Sequence, residues 1–291
     1  MRMFLVLLFT ASLAYGQTQR TFVSAHTGSD ANSCGATAPC RSFGAAMALT
    51  LSGGEIIVLD SGGYGVVTID KSVSIISPAG VYAGVSAFSG NAITINTPSL
   101  TVVLEGLTLN GLGAGFGIIQ TASGTLYVKR CVITGFSTVG IDLFSNTGAT
   151  VQLFVADTDI RGNGTYGIYA FSGTKHFLTL DHVRVEKNSG DGVYLDSGAL
   201  VNAYECVVAG NTGYGVIAQG NTEANLDSCL VSNNATGVAT AHGTVRISSC
   251  TITDNTIKGI DDHGDGSILS RLNNTVEGNA ADDALGTYTA K

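Results

Sequence analysis

The chain has 291 residues, with 14 Lys and Arg against 22 Asp and Glu and a net charge of −8. That balance disfavours a grip on a phosphate backbone, so no nucleic-acid partner is expected. Charged residues are 12% and hydrophobic ones 44%, which excludes disorder, and 39 glycines without a three-residue period exclude collagen.

Residues 1–16 read as an export signal. Arg2 supplies the positive start, and Met3 to Leu13 is an apolar run too short to cross a bilayer. Ala14-Tyr15-Gly16 offers small residues for cleavage before Gln17. No later stretch has the ~18 apolar residues of a transmembrane helix. The expected location is secreted, periplasmic or cell-surface. Cys34 and Cys40 lie close together in a turn-rich segment and can pair as a disulfide. Pro39 suits the first turn of a helix over about 40–51, with Phe43, Met47, Thr50 and Leu51 on one face and Gly53-Gly54 to stop it. Residues 17–54 would then form an N-terminal cap. Glu55-Ile56-Ile57-Val58-Leu59 would open the first coil of a unit running over 55–291.

From about residue 100 the chain repeats. Leu126-x-Val128-x-x-Cys131-x-Ile133 returns as Leu153-x-Val155-x-x-Thr158-x-Ile160 and as Leu178-x-Leu180-x-x-Val183-x-Val185. Three further copies carry Cys206, Cys229 and Cys250 at the same slot. Each unit ends in Gly plus an aliphatic, from Gly140-Ile141 to Gly259-Ile260, at a period of about 22–25 residues. Alternating polarity at that period means a solenoid of short strands, an all-β parallel helix of roughly nine coils spaced ~4.8 Å apart. The slot of Leu107, Cys131, Thr158, Val183, Cys206, Cys229 and Cys250 should point inward. Cys131 is three coils from Cys206 and cannot reach it. Only Cys206–Cys229 or Cys229–Cys250 could bond, so at least one of those three thiols stays free. Asn163, Asn188, Asn211, Asn234, Asn255 and Asn279 recur at one turn. There Asn tolerates the left-handed conformation, and its amide can hydrogen-bond from coil to coil.

With these repeats the chain resembles the right-handed parallel β-helix proteins of the pectate-lyase-like superfamily, over about residues 21–285. The opening Thr21-Phe22-Val23-Ser24, the Gly28-Ser29-Asp30-x-Asn32-x-Cys34 segment and Pro39-Cys40-Arg41-Ser42-Phe43 are similar to those of exported bacterial members. Asn273-Asn274-Thr275-Val276-Glu277-Gly278-Asn279 is similar to their closing segment. The resemblance implies a single-stranded right-handed solenoid and a groove over the first strand of each coil. It leaves the chemistry open, because the superfamily holds lyases, hydrolases, epimerases, tailspikes and adhesive proteins.

Stacking the coils gives three candidate sites. The outward column of the first strand runs Val103, Tyr127, Phe154, Thr179, Asn202, Asn225 and Arg246. Of these, Tyr127, Phe154, Asn202, Asn225 and Arg246 form a candidate glycan track of stacking rings and planar hydrogen-bonding groups. The adjoining bend gathers Asp157, Asp181, His182, Glu205 and Asp227. These carboxylates are candidates for acid–base work on a glycosidic bond or for sharing Ca²⁺. The competing expectation is a ladder of surface ion pairs: Arg130 with Asp157, His182 with Asp157 and Glu205, Asp159 with Arg184, and Arg161 with Glu186. Near the C-terminal end His242, Asp261, Asp262, His263 and Asp265 are candidate metal ligands. Asp261-Asp262 resembles one polygalacturonase motif, but that family's Asn-Thr-Asp, Gly-His-Gly and Arg-Ile-Lys are absent. Tyr169 and Tyr194 should stack outward on the third strand. Short uniform repeats without walling loops favour a non-catalytic module that binds polysaccharide or a cell-surface glycan. The alternative is a polysaccharide lyase, hydrolase or epimerase.

Overall fold

Each coil is three short strands, because inward and outward side chains alternate only over runs of three to seven residues before a turn intervenes. The computed structural model describes residues 16–145, 150–172, 176–196, 198–263, 265–281 and 286–287. Most of the expected export signal lies outside them. The strands stack into three parallel sheets of twelve, ten and nine members, a right-handed solenoid of about nine turns. In one coil the long sheet contributes Gly124–Lys129, the second sheet Val132–Thr134 and the third sheet Val139–Ser145. Stacking is in register: Leu126 lies between Val102 and Leu153, and Ile133 between Leu109 and Ile160. Inward positions are almost wholly buried Leu, Ile, Val and Ala, so one apolar core runs the length of the helix.

The helix is Phe43–Leu49, shorter than the expected 40–51. Ser42 caps it, its Oγ accepting the Ala45 N–H at 3.2 Å, so Pro39 stands before the helix rather than in its first turn. Phe43, Ala46 and Met47 are buried. The chain passes at Thr50 straight into the strand Thr50–Val58, which leaves Leu51 exposed and carries Gly53-Gly54 within it. Thr18–Val23 adds a parallel strand to the end of the long sheet, covering an edge that would otherwise be open. Cys34 and Cys40 are bonded to each other.

The asparagines form an internal ladder. Nδ2 of Asn163 donates to Oδ1 of Asn188 at 3.0 Å, and the pattern repeats through Asn211, Asn234, Asn255 and Asn279 at 2.9 to 3.2 Å. Each amide oxygen also takes the backbone N–H of the preceding coil's asparagine. The left-handed residue is the one before the asparagine, not the asparagine itself: Gly162, Lys187, Gly210, Asn233, Asp254 and Gly278. That turn frees the amide to point inward. Cys131, Cys206, Cys229 and Cys250 are all free and buried, each thiol directed at backbone carbonyls such as Tyr204 and Asp227.

Candidate functional site

The outward column of the long sheet is present as expected, each residue directly beside the next from Val103 to Arg246. Tyr127 and Phe154 stack at 4.8 Å with planes 12° apart, and Lys129 Nζ lies 5.6 Å from the Tyr127 ring centre. Asn225 Nδ2 donates to Asn202 Oδ1 at 2.9 Å. Arg246 reaches back to Glu223 at 3.2 Å. Rings at one end and planar amides with a guanidinium at the other form a continuous strip across six coils.

The bend after the long strand holds a left-handed residue in coil after coil: Gly106, Arg130, Asp157, His182, Glu205, Ser228 and Ser249. Because serine and glycine take the same conformation, the bend demands it and catalysis does not. One consequence is that side chains at this corner splay outward. His182 is held between two carboxylates, Nδ1 at 2.7 Å from Asp181 Oδ1 and Nε2 at 2.6 Å from Glu205 Oε2. The Tyr204 ring meets the imidazole edge-on at 6.0 Å. Asp181, His182, Tyr204 and Asp227 line an open depression of about 420 Å³, floored by Asn202 and Asn225. The hydrogen bond to Asp181, followed by the charges of Asp181 and Glu205, raises the His182 pKa and favours the imidazolium. The hydrogen bond to Glu205 likewise raises the Tyr204 phenol.

Several expected pairs are different. Asp157 is exposed, and the described pairs of His182 are Asp181 and Glu205. Arg130 pairs with Glu105 of the preceding coil, not with Asp157. On the second sheet Asp159 lies beside Arg184 and Arg161 beside Glu186, as the register requires, yet the ion pairs run along each strand. Arg161 binds Asp159 at 2.8 Å and Arg184 binds Glu186 at 2.6 Å.

The C-terminal candidates divide into separate pairs. His242 Nδ1 lies 3.1 Å from Asp265, while His263 Nε2 lies 3.7 Å from Asp261 and 3.3 Å from the Tyr214 hydroxyl. Lys258 also holds Asp261, at 3.0 Å. Among the described residues no group of three or more His, Cys, Asp or Glu side chains is arranged to hold a metal ion.

The sequence reading missed Asp142. It occupies an outward position on the third sheet beside Tyr169, which is followed by Tyr194. Tyr166, Tyr169, Phe171, Tyr194 and Phe144 gather there in one aromatic cluster. The available signal was an acid placed between Ile119 and Tyr169 in that column.

Residues 52–195 and 116–281 match the family described as right handed beta helix region, and the chain belongs to that family. Among solved structures it is similar to the pectate lyase Pel9A, at TM-score 0.63 and 15% identity over 94% of this chain and 80% of that one. It is also similar to a rhamnogalacturonan lyase, at TM-score 0.52 and 12% identity over 90% and 88% of the two chains. Tailspike protein 2 of the Escherichia coli O157:H7 bacteriophage CAB120 is a third, at TM-score 0.53 and 14% identity over 74% of this chain and 34% of that one. These likenesses are of fold. No curated protein matches the sequence.

Proposed function

We propose that the protein is an exported carbohydrate-recognition β-helix that holds a polysaccharide along the long sheet without cleaving it. The observation that carries this reading is His182, clamped between Asp181 and Glu205 on an open face. A base for β-elimination or epimerisation must stand unprotonated near neutral pH and face the substrate. Here the imidazole is biased towards its cation and the neighbouring phenol towards its neutral form. The two carboxylates spend oxygens on the imidazole. What the strip does offer is recognition: the Tyr127–Phe154 stack for sugar faces, and Asn202, Asn225 and Arg246 for hydroxyls or a carboxylate. The pectate lyase and rhamnogalacturonan lyase likenesses fit a carbohydrate-related role. No described helix is long and apolar enough to cross a membrane.

The test is affinity electrophoresis of residues 17–291 in gels cast with neutral and acidic polysaccharides. Retardation of the wild type is expected on at least one polymer, and the double variant Tyr127→Ala/Phe154→Ala should run free. Equal mobility of both proteins on every polymer would contradict the reading. A second reading, an enzyme of the lyase, hydrolase or epimerase type, is favoured by the depression that brings Asp181, His182, Tyr204 and Asp227 together. It predicts products as well as retention.

A further inference from the structure

On the third sheet the outward column through Asp142 runs from Thr68 and Thr94 by way of Ile119, Tyr169, Tyr194, Ile217 and Ala239 to Asp261. Aliphatic residues satisfy this position in three coils and the second acid, Asp261, is held by Lys258 at 3.0 Å, so the stacking does not require an unpaired acid at 142. Yet Asp142 is only 5% exposed, and its Oδ1 has no hydrogen-bond partner. A buried carboxyl oxygen without a partner is costly, and such a group points to a ligand or role that completes it. Beside it stands an aromatic surface that is half-buried rather than sealed. Ring centres are 4.8 Å apart for Tyr166 and Tyr169, 5.2 Å for Tyr166 and Tyr194, 5.3 Å for Tyr169 and Tyr194, and 6.1 Å for Tyr169 and Phe171. With Phe144 stacked on Phe171 at 5.8 Å, the rings span three coils, roughly 10 Å along the axis.

We propose that this face is a second saccharide-binding site, in which the Tyr166, Tyr169, Tyr194 and Phe171 rings pack against an uncharged sugar and Asp142 hydrogen-bonds one of its hydroxyls. Apolar ring surface edged with phenols and a carboxyl suits a ligand that has C–H faces and hydroxyls together. Charge selects the uncharged class. The five strands Phe116–Gln120, Val139–Ser145, Tyr166–Ser172, Asp191–Leu195 and Tyr214–Gln219 contain no Lys or Arg to pair with a uronate or sulfate, and the acids on this sheet are Asp142 and Asp191 with Asp196 just beyond. Burial raises the Asp142 pKa to about 7, so below that pH the carboxyl is a neutral donor. The strand Phe116–Gln120 on one side brings no titratable group. The strand Tyr166–Ser172 on the other brings Tyr166 and Tyr169, both pushed up by burial; beyond them are Tyr194, Asp191 and Asp196. The site lies on a different sheet from the proposed polysaccharide track and does not depend on it.

The experiment titrates residues 17–291 with uncharged gluco-, xylo-, manno- and galacto-oligosaccharides. Tyrosine emission and calorimetry serve as readouts, since the chain has no Trp. At least one series should bind, and Tyr169→Ala/Tyr194→Ala should weaken it about tenfold or more. Wild-type binding should be several-fold tighter at pH 5.5 than at 8.5. Asp142→Asn, which keeps shape and a donor and so folds even if the double variant does not, should abolish that pH dependence. The proposal is overturned if no uncharged oligosaccharide binds at either pH, or if only Tyr127→Ala/Phe154→Ala removes binding. It is equally overturned if wild-type and Asp142→Asn titrations share one pH profile, or if sedimentation shows this face closed in a dimer.

Discussion

Two faces of the same solenoid treat an acidic side chain in opposite ways. On the long sheet Asp181 and Glu205 stand in solvent and share a histidine. On the third sheet Asp142 is buried beside Tyr169 and has an oxygen with no partner. The exposed pairs are screened and half-hydrated, so they contribute little to stability. The enclosed acid meets the opposite balance, because removing its water without a counter-charge favours the proton over the charge. The difference comes from the neighbours: Asp181 and Glu205 share the imidazole of His182, whereas Asp142 lies beside Tyr169 of the next coil with no counter-charge described.

The interior sets the scale for judging either face. Asn211→Ala removes an amide whose oxygen takes two N–H groups from Asn188 and whose nitrogen donates to Asn234, leaving buried donors and an acceptor unsatisfied. A loss of about 3–5 kcal/mol is expected in urea unfolding. A loss under about 1 kcal/mol would remove the ladder from the account.

Asp142→Asn comes next. Its folded-state pKa, about 7 against the ordinary 3.8, means the folded protein holds this proton more tightly than the unfolded chain. Stability is therefore fully present below pH ~4 and is lost as pH rises to ~7, beyond which the charged form carries its whole cost. The Asn variant should be more stable than wild type by about 2–4 kcal/mol at pH 8.5 and nearly equal to it at pH 4. A gap of the same size at both pH values would contradict a buried, unpaired acid.

Single ring deletions sharpen the contrast between faces. Tyr169→Ala, which loses contacts with three other rings, should cost about 2 kcal/mol, whereas Tyr127→Ala, with one stacked partner, should cost about 1 kcal/mol. Equal costs in thermal unfolding would mean the third-sheet cluster is no more cohesive than the long-sheet pair. The smallest stability effect belongs to His182→Ala. It should leave the melting temperature unchanged while loosening polysaccharide retention, and a clear drop in melting temperature would make the clamp structural.

The solenoid was legible because its interior has little freedom. Leu, Ile, Val and Cys recur at slots that must face inward, and counting between them fixes the register that brings Tyr127 beside Phe154 and Asn202 beside Asn225. The asparagine ladder was readable for the same reason, although the left-handed residue proved to be its predecessor. Boundaries set by one capping hydroxyl were less visible, and the helix begins at Phe43 because Ser42 caps it. Choices among neighbouring rotamers were not visible at all. Arg161 and Arg184 turn along their own strands to Asp159 and Glu186, when the register offered partners on the next coil. Asp142 was missed because its alternation in the strand reads as an outward acid, and its neighbour Tyr169 lies 27 residues further on in the chain.

The central claim is recognition without cleavage on the long sheet. The most direct measurement incubates residues 17–291 with any polysaccharide that retains it, with Ca²⁺ or EDTA, and follows unsaturated and reducing ends over time. The account predicts retention with no product under either condition. Product formation by the wild type that disappears in Asp181→Ala/Glu205→Ala would contradict it and make the His182 depression an active site.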